Sequence, residues 1–268
     1  MSRDLHGVRH VVLDMDGTIY KGSMLFPCTL PFLVQLRRAG IGHTFLTNNT
    51  SRSKNDYVRK LRHLGIPADA DDIYTAADAT IDYLRLHLPD VVRVALLGTP
   101  SLCGQFEQEG FAVDFESPQA VVIGFDTTLD YARLCRAAWW IAQGLPYIAT
   151  HPDLICPTDE PTVLVDCGAI CAALNAATGR TPVVLGKPDP KILQGIARKF
   201  GVPMEAIAMV GDRLYTDIAL AQRAGAVSVL VLSGEASRKD AEAYTPPPDL
   251  IVADVSELGT LLQVETGA

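Results

Sequence analysis

Val11-Val12-Leu13-Asp14-Met15-Asp16-Gly17-Thr18 is the stretch from which the whole chain can be read. Three consecutive apolar residues, two of them β-branched, have the composition of a short buried strand. Two carboxylates two residues apart follow at once, then a glycine that permits a tight turn. Asp14 and Asp16 can therefore point to one side of a loop without being equivalent. In open parallel sheets, binding sites form outside the carboxyl ends of the strands. The ends of the other strands are thus the places to look next.

Three more polar clusters follow apolar runs. Gly42–Leu46 leads into Thr47-Asn48-Asn49-Thr50-Ser51, Val183–Leu185 into Gly186-Lys187-Pro188, and Ala206–Val210 into Gly211-Asp212-Arg213 with Asp217 beyond. Helical periodicity fills the gaps: Thr29–Ala39 closed by Gly40, a helix after Ser53 that ends at Gly65, and Pro190–Phe200. Val227–Val231 and Leu250–Val252 supply further strands, and the last few residues are expected to fray. This alternation predicts an α/β fold with a doubly wound, Rossmann-like parallel sheet.

About 110 residues separate Thr75 from Gly186, too many for a structureless connection inside a compact fold. They carry their own strands, Val92–Leu97, Ala120–Ile123 and Tyr147–Ala149, and a helix near Ala169–Ala177. The expected organisation is a core from residues 1–78 and 185–268 with a smaller α/β domain, 79–184, inserted into it. Thr245-Pro246-Pro247-Pro248 reads as a stiff surface turn.

Of the 268 residues, 48% are hydrophobic and 20% charged, and the net charge is −8. Affinity for nucleic-acid backbones comes from clustered Lys and Arg, so the charge argues against a nucleic-acid polymer as partner. A small anionic ester in a locally positive pocket remains compatible. Apolar runs such as Ala137–Ala142 are far shorter than the roughly 20 residues of a spanning helix. No apolar export segment precedes the first motif. Six scattered cysteines do not form the dense framework of a small secreted domain, and a cytoplasmic protein with reduced thiols is expected.

The four clusters suit phosphate-ester hydrolysis. A carboxylate nucleophile divides the reaction through an aspartyl-phosphate. A hard cation held by carboxylates neutralises charge and favours Mg²⁺. A lysine and hydroxyl or amide donors clamp the phosphoryl oxygens.

Here the sequence resembles a known family. Asp14-Met15-Asp16-Gly17-Thr18, Thr47, Lys187 and Gly211-Asp212 match the four motifs of the haloacid dehalogenase superfamily in order and spacing. The insert lies where the branch with a large, class II cap carries that cap. Thr47-Asn48-Asn49, Asp166-Cys167-Gly168-Ala169, Gly179-Arg180, Gly186-Lys187-Pro188 and Gly211-Asp212-Arg213 with Asp217 resemble NagD-like and para-nitrophenyl-phosphatase-like members. The resemblance implies Asp14 as nucleophile and Asp16 as general acid, then base. It implies Mg²⁺ held by Asp14, Asp212 and the backbone carbonyl of Asp16, with Asp217 orienting the metal's waters. Thr47 and Asn48 would hold phosphoryl oxygens, Asn49 either a phosphate or a turn, and Lys187 would bridge nucleophile and phosphate. A small phosphorylated metabolite, a sugar phosphate or nucleoside monophosphate, is the implied substrate, with the cap closing over it.

Other readings stand beside these. His151-Pro152-Asp153 either reads the leaving group or forms a plain turn, and Leu154–Glu160 departs from the Gly-rich form of NagD-like members. Gly179–Lys187 is not a nucleotide-binding loop, because Thr181 replaces the first glycine and Pro188 follows the lysine. Cys167 and Cys171 read as packing, not a metal pair. Of Trp139 and Trp140, one is expected in the core and the other facing solvent or a subunit, which leaves room for a homo-oligomer through the cap. A dehalogenase does not need Asp16 or Asp212. A phosphotransferase or phosphomutase would keep all four motifs, and a phospho-accepting receiver module would lack the inserted domain.

Overall fold

The computed structural model describes residues 5–157 and 161–265; of the Leu154–Glu160 stretch, 158–160 lie outside the described residues, as do the final three positions. The chain begins with β1 (His10–Asp14), a two-residue hairpin of β2 (Tyr20–Lys21) and β3 (Met24–Leu25), then α1 (Thr29–Arg38) and β4 (Gly42–Thr47). Next come α2 (Lys54–His63), β5 (Ile73–Thr75) and α3 (Ala76–His87). The inserted region holds β6 (Arg93–Leu97), α4 (Pro100–Gln108), β7 (Ala112–Val113), β8 (Ala120–Ile123), α5 (Tyr131–Ala142) and β9 (Tyr147–Ala149). It continues through β10 (Ile155–Pro157), β11 (Val163–Val165), α6 (Cys167–Thr178) and β12 (Val183–Val184). The chain closes with α7 (Lys191–Phe200), β13 (Ile207–Gly211), α8 (Ala219–Ala224), β14 (Val227–Val231), α9 (Arg238–Ala243), β15 (Leu250–Val252) and α10 (Val255–Glu265).

Two compact units result. One takes the chain up to Thr47, Val58–Tyr74, and everything from Lys187 onward; the other takes Asn48–Tyr57 and Thr75–Gly186. The sequence places these exchanges at 78/79 and 184/185 and keeps Asn48–Tyr57 with the core.

In the first unit, the described residues form a six-stranded sheet in the order β15-β14-β13-β1-β4-β5. β1 pairs in parallel with β4 and β13, which pairs in parallel with β14. Its central strands are apolar almost without a break, and Val11, Val12, Leu13 and Ile207–Val210 have no exposed surface. That is the pattern of a parallel sheet covered on both faces, not of a half-wet one. Each buried Val, Leu, Ile or Met side chain among them contributes roughly 1.5–3 kcal/mol by leaving water. α1 buries Phe32 and Leu36, four apart on one face, and ends where Gly40 takes φ +69°. α7 buries Ile192, Leu193 and Ile196 and stops at the left-handed Gly201.

Because β4 and β5 lie on one side of β1 and β13–β15 on the other, strand order reverses between β1 and β13. Their carboxyl ends flank the crevice in which open α/β sheets bind ligands.

The second unit has its own parallel sheet, β12-β9-β8-β6-β7, and an antiparallel ribbon of β10 and β11. Two apolar layers cover the sheet: one includes Leu84, Leu102 and Phe106, the other Ile141, Cys167, Ile170, Cys171 and Leu174. Both cysteines are therefore packing residues. Trp140 packs beside the second layer and donates its indole N–H to Phe115 O at 2.9 Å, whereas Trp139 is 59% exposed. Among the described residues, no helix is long and apolar enough to cross a membrane.

Candidate active site

Register brings the sheet-edge residues together. Leu13 pairs with Val210 and Asp14 with Leu46, so Asp14, Thr47 and Asp212 emerge at one edge of the first unit's sheet. After Asp14 the backbone folds back at once. Met15 O accepts from Ile19 N at 2.9 Å, Gly17 N donates to Tyr20 O at 2.7 Å, and Gly17 takes φ +86°. A Cβ at Gly17 would collide with the Asp212 carboxylate, so only glycine lets this turn approach that side chain. Asp16 is exposed on the turn.

Asp217 is wholly buried on a single π-helical turn, Leu214–Ile218, that follows Asp212. Such turns recur at functional sites. Its Oδ2 accepts from Arg213 N at 3.1 Å, and Lys187 Nζ lies 2.8 Å from its Oδ1. Lys187 also donates to Asp14 Oδ1. The lysine is buried and comes from the turn that leads into α7.

The electrostatics follow from burial. Burial, opposed by Lys187 and reinforced by Asp217 and Asp212, raises Asp14 to about 7. Asp212 is pushed up to about 6, by burial first and Asp217 next, against the Glu235 N–H it accepts. For Lys187, burial favours the neutral amine, but Asp14 and Asp217 outweigh it and raise its pKa. The Arg213 guanidinium is likewise held charged by Asp14, Tyr215 and Glu235 against burial.

Asp14, Asp212 and Asp217 bring one oxygen each within 4.8 Å of one another. Asp212 Oδ1 is buried and has no hydrogen-bond partner among the described residues. Three hard carboxylates and an orphaned oxygen fit a divalent, oxygen-preferring cation. The Asp16 carboxylate stands outside this cluster, and Asp217 stands in it.

The second unit holds Asn48, Asn49 and His151. Asn48 Nδ2 donates to Asp153 Oδ2 at 3.1 Å. Asn49 Oδ1 accepts from Ser51 N at 3.0 Å and Ser51 Oγ at 2.7 Å, the geometry of a turn former. His151 has no exposed surface, and both ring nitrogens are engaged: Nε2 with Asp166 Oδ1 and Nδ1 with Thr150 Oγ1, each at 2.8 Å. Asp166 is also the N-cap of α6. Burial alone would lower the His151 pKa, but the Asp166 contact raises it.

Sequence reasoning passed over Ser233, Gly234 and Glu235. Glu235 N donates to Asp212 Oδ2 at 2.7 Å, and Ser233 Oγ to Gly17 O at 2.7 Å. The signal was available, since Ser233-Gly234-Glu235 is another polar cluster after an apolar strand, β14.

Comparison with known proteins decides the family. A haloacid dehalogenase-like hydrolase model matches residues 11–112, and a second HAD-hydrolase-like model matches residues 184–258. A 4-nitrophenylphosphatase from Thermotoga maritima is 44% identical, with a TM-score of 0.91 over 96% of this chain and 98% of that one. The chain belongs to the haloacid dehalogenase-like hydrolases. Within them it stands in the NagD-like branch. The acid sugar phosphatase of Staphylococcus aureus (strain USA300) is 31% identical over 92% of this chain and 95% of its own. The ribonucleotide monophosphatase NagD of Escherichia coli (strain K12) is 29% identical over 95% and 99%. The core sheet and the separate α/β unit are thus the core and cap of a haloacid dehalogenase-like phosphatase.

Proposed function

We propose that this protein is a phosphoric monoester hydrolase that cleaves small phosphorylated metabolites through an aspartyl-phosphate on Asp14. The observation that carries the reading is the buried Lys187 ammonium, shared by Asp14 at the end of β1 and Asp217 on the π-helical turn after β13. An ammonium so held favours the ionised nucleophile against its burial and offsets the charge of an incoming phosphoryl group.

In the first step, a carboxylate oxygen of Asp14 bonds to phosphorus as the ester P–O bond breaks. Asp16, exposed on the turn, gives a proton to the departing oxygen. In the second, Asp16 takes a proton from water, the water oxygen bonds to phosphorus, and the acyl-phosphate P–O bond breaks to restore Asp14. Thr47, one residue beyond the β1 partner Leu46, is proposed to hold a phosphoryl oxygen. Mg²⁺ held by Asp14, Asp212 and the Asp16 carbonyl would neutralise phosphoryl charge when bound. Asp217, engaged by Arg213 N and Lys187, is proposed to orient its neighbours. His151 is proposed to shape the Pro152–Asp153 loop, since its ring is sealed, and no chemical step is assigned to Asn48 or Asn49.

The relatives' names support nucleoside monophosphates and sugar phosphates as the substrate class. All six cysteines are free thiols, which supports a cytoplasmic setting. The outward Trp139 on α5 supports a homo-oligomer through the cap, to be tested by the mass in solution. The functional test is release of 4-nitrophenol and inorganic phosphate in equal amounts from 4-nitrophenyl phosphate, abolished by chelation and restored by Mg²⁺. Phenol released without inorganic phosphate in the presence of an added alcohol would point to phosphotransfer instead.

A further inference from the structure

The two oxygens of Asp212 have different surroundings. Oδ2 accepts Glu235 N–H at 2.7 Å, and a Cβ placed on either Gly17 or Gly234 would run into it. Oδ1 is buried without a hydrogen-bond partner among the described residues. One oxygen is thus packed into backbone, and the other is left for a ligand.

What packs Oδ2 is the turn after β14. Ala236 N donates to Asp212 O at 3.1 Å, so the turn grips Asp212 through both main chain and side chain. Ser233 Oγ donates to Gly17 O at 2.7 Å, tying the same turn to the loop that bears Asp14 and Asp16. The Glu235 carboxylate is clipped in turn by Arg213 Nε at 2.9 Å and by Tyr215 OH at 3.3 Å. Arg213 and Tyr215 follow Asp212 directly in the chain. The result is a closed loop of contacts running from Gly17 to Ser233, Glu235, Arg213 and back to Asp212.

We propose that the Ser233–Ala236 turn is a positioning element that makes Asp212 a one-oxygen metal ligand, with Ser233 and Glu235 as its working side chains. The proposal rests on the reading of Asp212 as a metal ligand. Mg²⁺ demands near-octahedral geometry and keeps several waters, which a carboxylate binding through both oxygens would displace. A backbone N–H on Oδ2, with the backbones of Gly17 and Gly234 packed against it, disfavours that mode. Outer partners of this kind commonly change metal affinity by about 10–100-fold when removed. The Glu235 side chain is 47% exposed, so its ion pair adds little to stability and its loss should act on the metal, not the fold.

The test is calorimetric titration of the metal-free full chain with Mn²⁺ and with Mg²⁺, paired with metal-free melting. Ser233→Ala and Glu235→Ala are expected to weaken binding by about 10-fold or more, with metal-free melting close to that of the parent. Ser233→Thr, which keeps the hydroxyl, should restore the affinity. At saturating metal, kcat should recover in both alanine variants. Asp212→Asn separates the two readings. If it loses the metal while Ser233→Ala and Glu235→Ala bind like the parent, the turn has no positioning role and the proposal falls. If Asp212→Asn itself binds normally, the metal-ligand reading beneath it falls. Should Ser233→Ala not fold, Glu235→Gln and Tyr215→Phe carry the same decision from exposed positions.

Discussion

Lys187 sets its ammonium 2.8 Å from Asp217 Oδ1, on a residue pair thirty positions apart in sequence, one on the turn leading into α7 and the other on the π-helical turn after β13. The same ammonium donates to Asp14, so one cation is shared by two carboxylates.

Removing that cation should therefore be costly before any substrate is present. Lys187→Met leaves Asp14, Asp212 and Asp217 within 4.8 Å of one another without it. Loss of one partner from a buried ion pair typically costs about 3–5 kcal/mol. Urea unfolding of the metal-free variant should show a loss of that order, part of it recovered on adding Mg²⁺. Turnover should fall on the order of 10²–10³-fold, the usual cost of losing one preorganised donor. A variant as stable as the parent without metal would show that the three carboxylates are not held ionised together.

Asp14→Asn should do the opposite to stability. Burial, Asp217 and Asp212 push Asp14 up to about 7 from an ordinary 3.8. A carboxyl whose folded pKa is raised contributes stability below its unfolded value and loses it as pH climbs through the folded one. Near pH 8 the parent carries that penalty in full and the amide does not. Metal-free Asp14→Asn should thus melt no lower than the parent, while turnover disappears.

Asp16→Asn should separate the two chemical steps. 4-Nitrophenolate leaves without much help from an acid, so Asp14 can still be phosphorylated, whereas activation of water needs the base. General acid–base groups contribute about 10²–10⁴-fold, and the second step should slow by that much. Acid-quenched Asp16→Asn should carry covalent phosphate, and the double variant with Asp14→Asn should carry none.

Most of the strands that carry the motifs were legible because they are apolar runs ending in polar residues, as at Val11–Asp14 and Ile207–Asp212. β10, β11 and the β2–β3 hairpin were not, since they form antiparallel ribbons of their own, outside the alternation of parallel strand and helix that marks the rest. The identities of Asp14, Lys187 and Asp212 could be read, but their partners could not. Asn48 meets Asp153 across 105 positions, and nothing local announces that pairing. In sequence, His151 reads as a loop residue that either faces a ligand or sits in a plain turn. Its burial depends on Asp166, a helix cap fifteen residues on, which turns a polar loop side chain into a satisfied interior one. Gly168 belongs to the same arrangement, because a Cβ there would strike Pro152 O.

That arrangement predicts a pH-dependent stability in the cap. The His151 pKa is raised, burial opposing and Asp166 prevailing. A raised base contributes its stability below the unfolded value of 6.5 and loses it as pH rises through the folded value. His151→Gln should therefore destabilise the protein most near pH 6 and progressively less toward pH 9. Urea midpoints at the two pH values check this, and a cost independent of pH would mean that the imidazole is neutral throughout.

His10 should act in the reverse sense on the core. It lies on β1, buried, with Nε2 2.8 Å from Thr44 Oγ1 and its ring 4.6 Å from that of Phe200. Burial first, then His43 and Lys199, lower its pKa to about 4. Between 6.5 and about 4 the unfolded chain takes up a proton that the folded chain refuses. Stability should fall across that window by an amount on the order of 3 kcal/mol, at about 1.4 kcal/mol per unit. At neutral pH both states are uncharged and the penalty is absent. His10→Gln keeps a hydrogen-bonding group beside Thr44 and cannot titrate, so its urea midpoint should decline less between pH 7 and pH 5 than the parent's. Equal declines would show that His10 is protonated in the folded protein and that the acid sensitivity lies elsewhere.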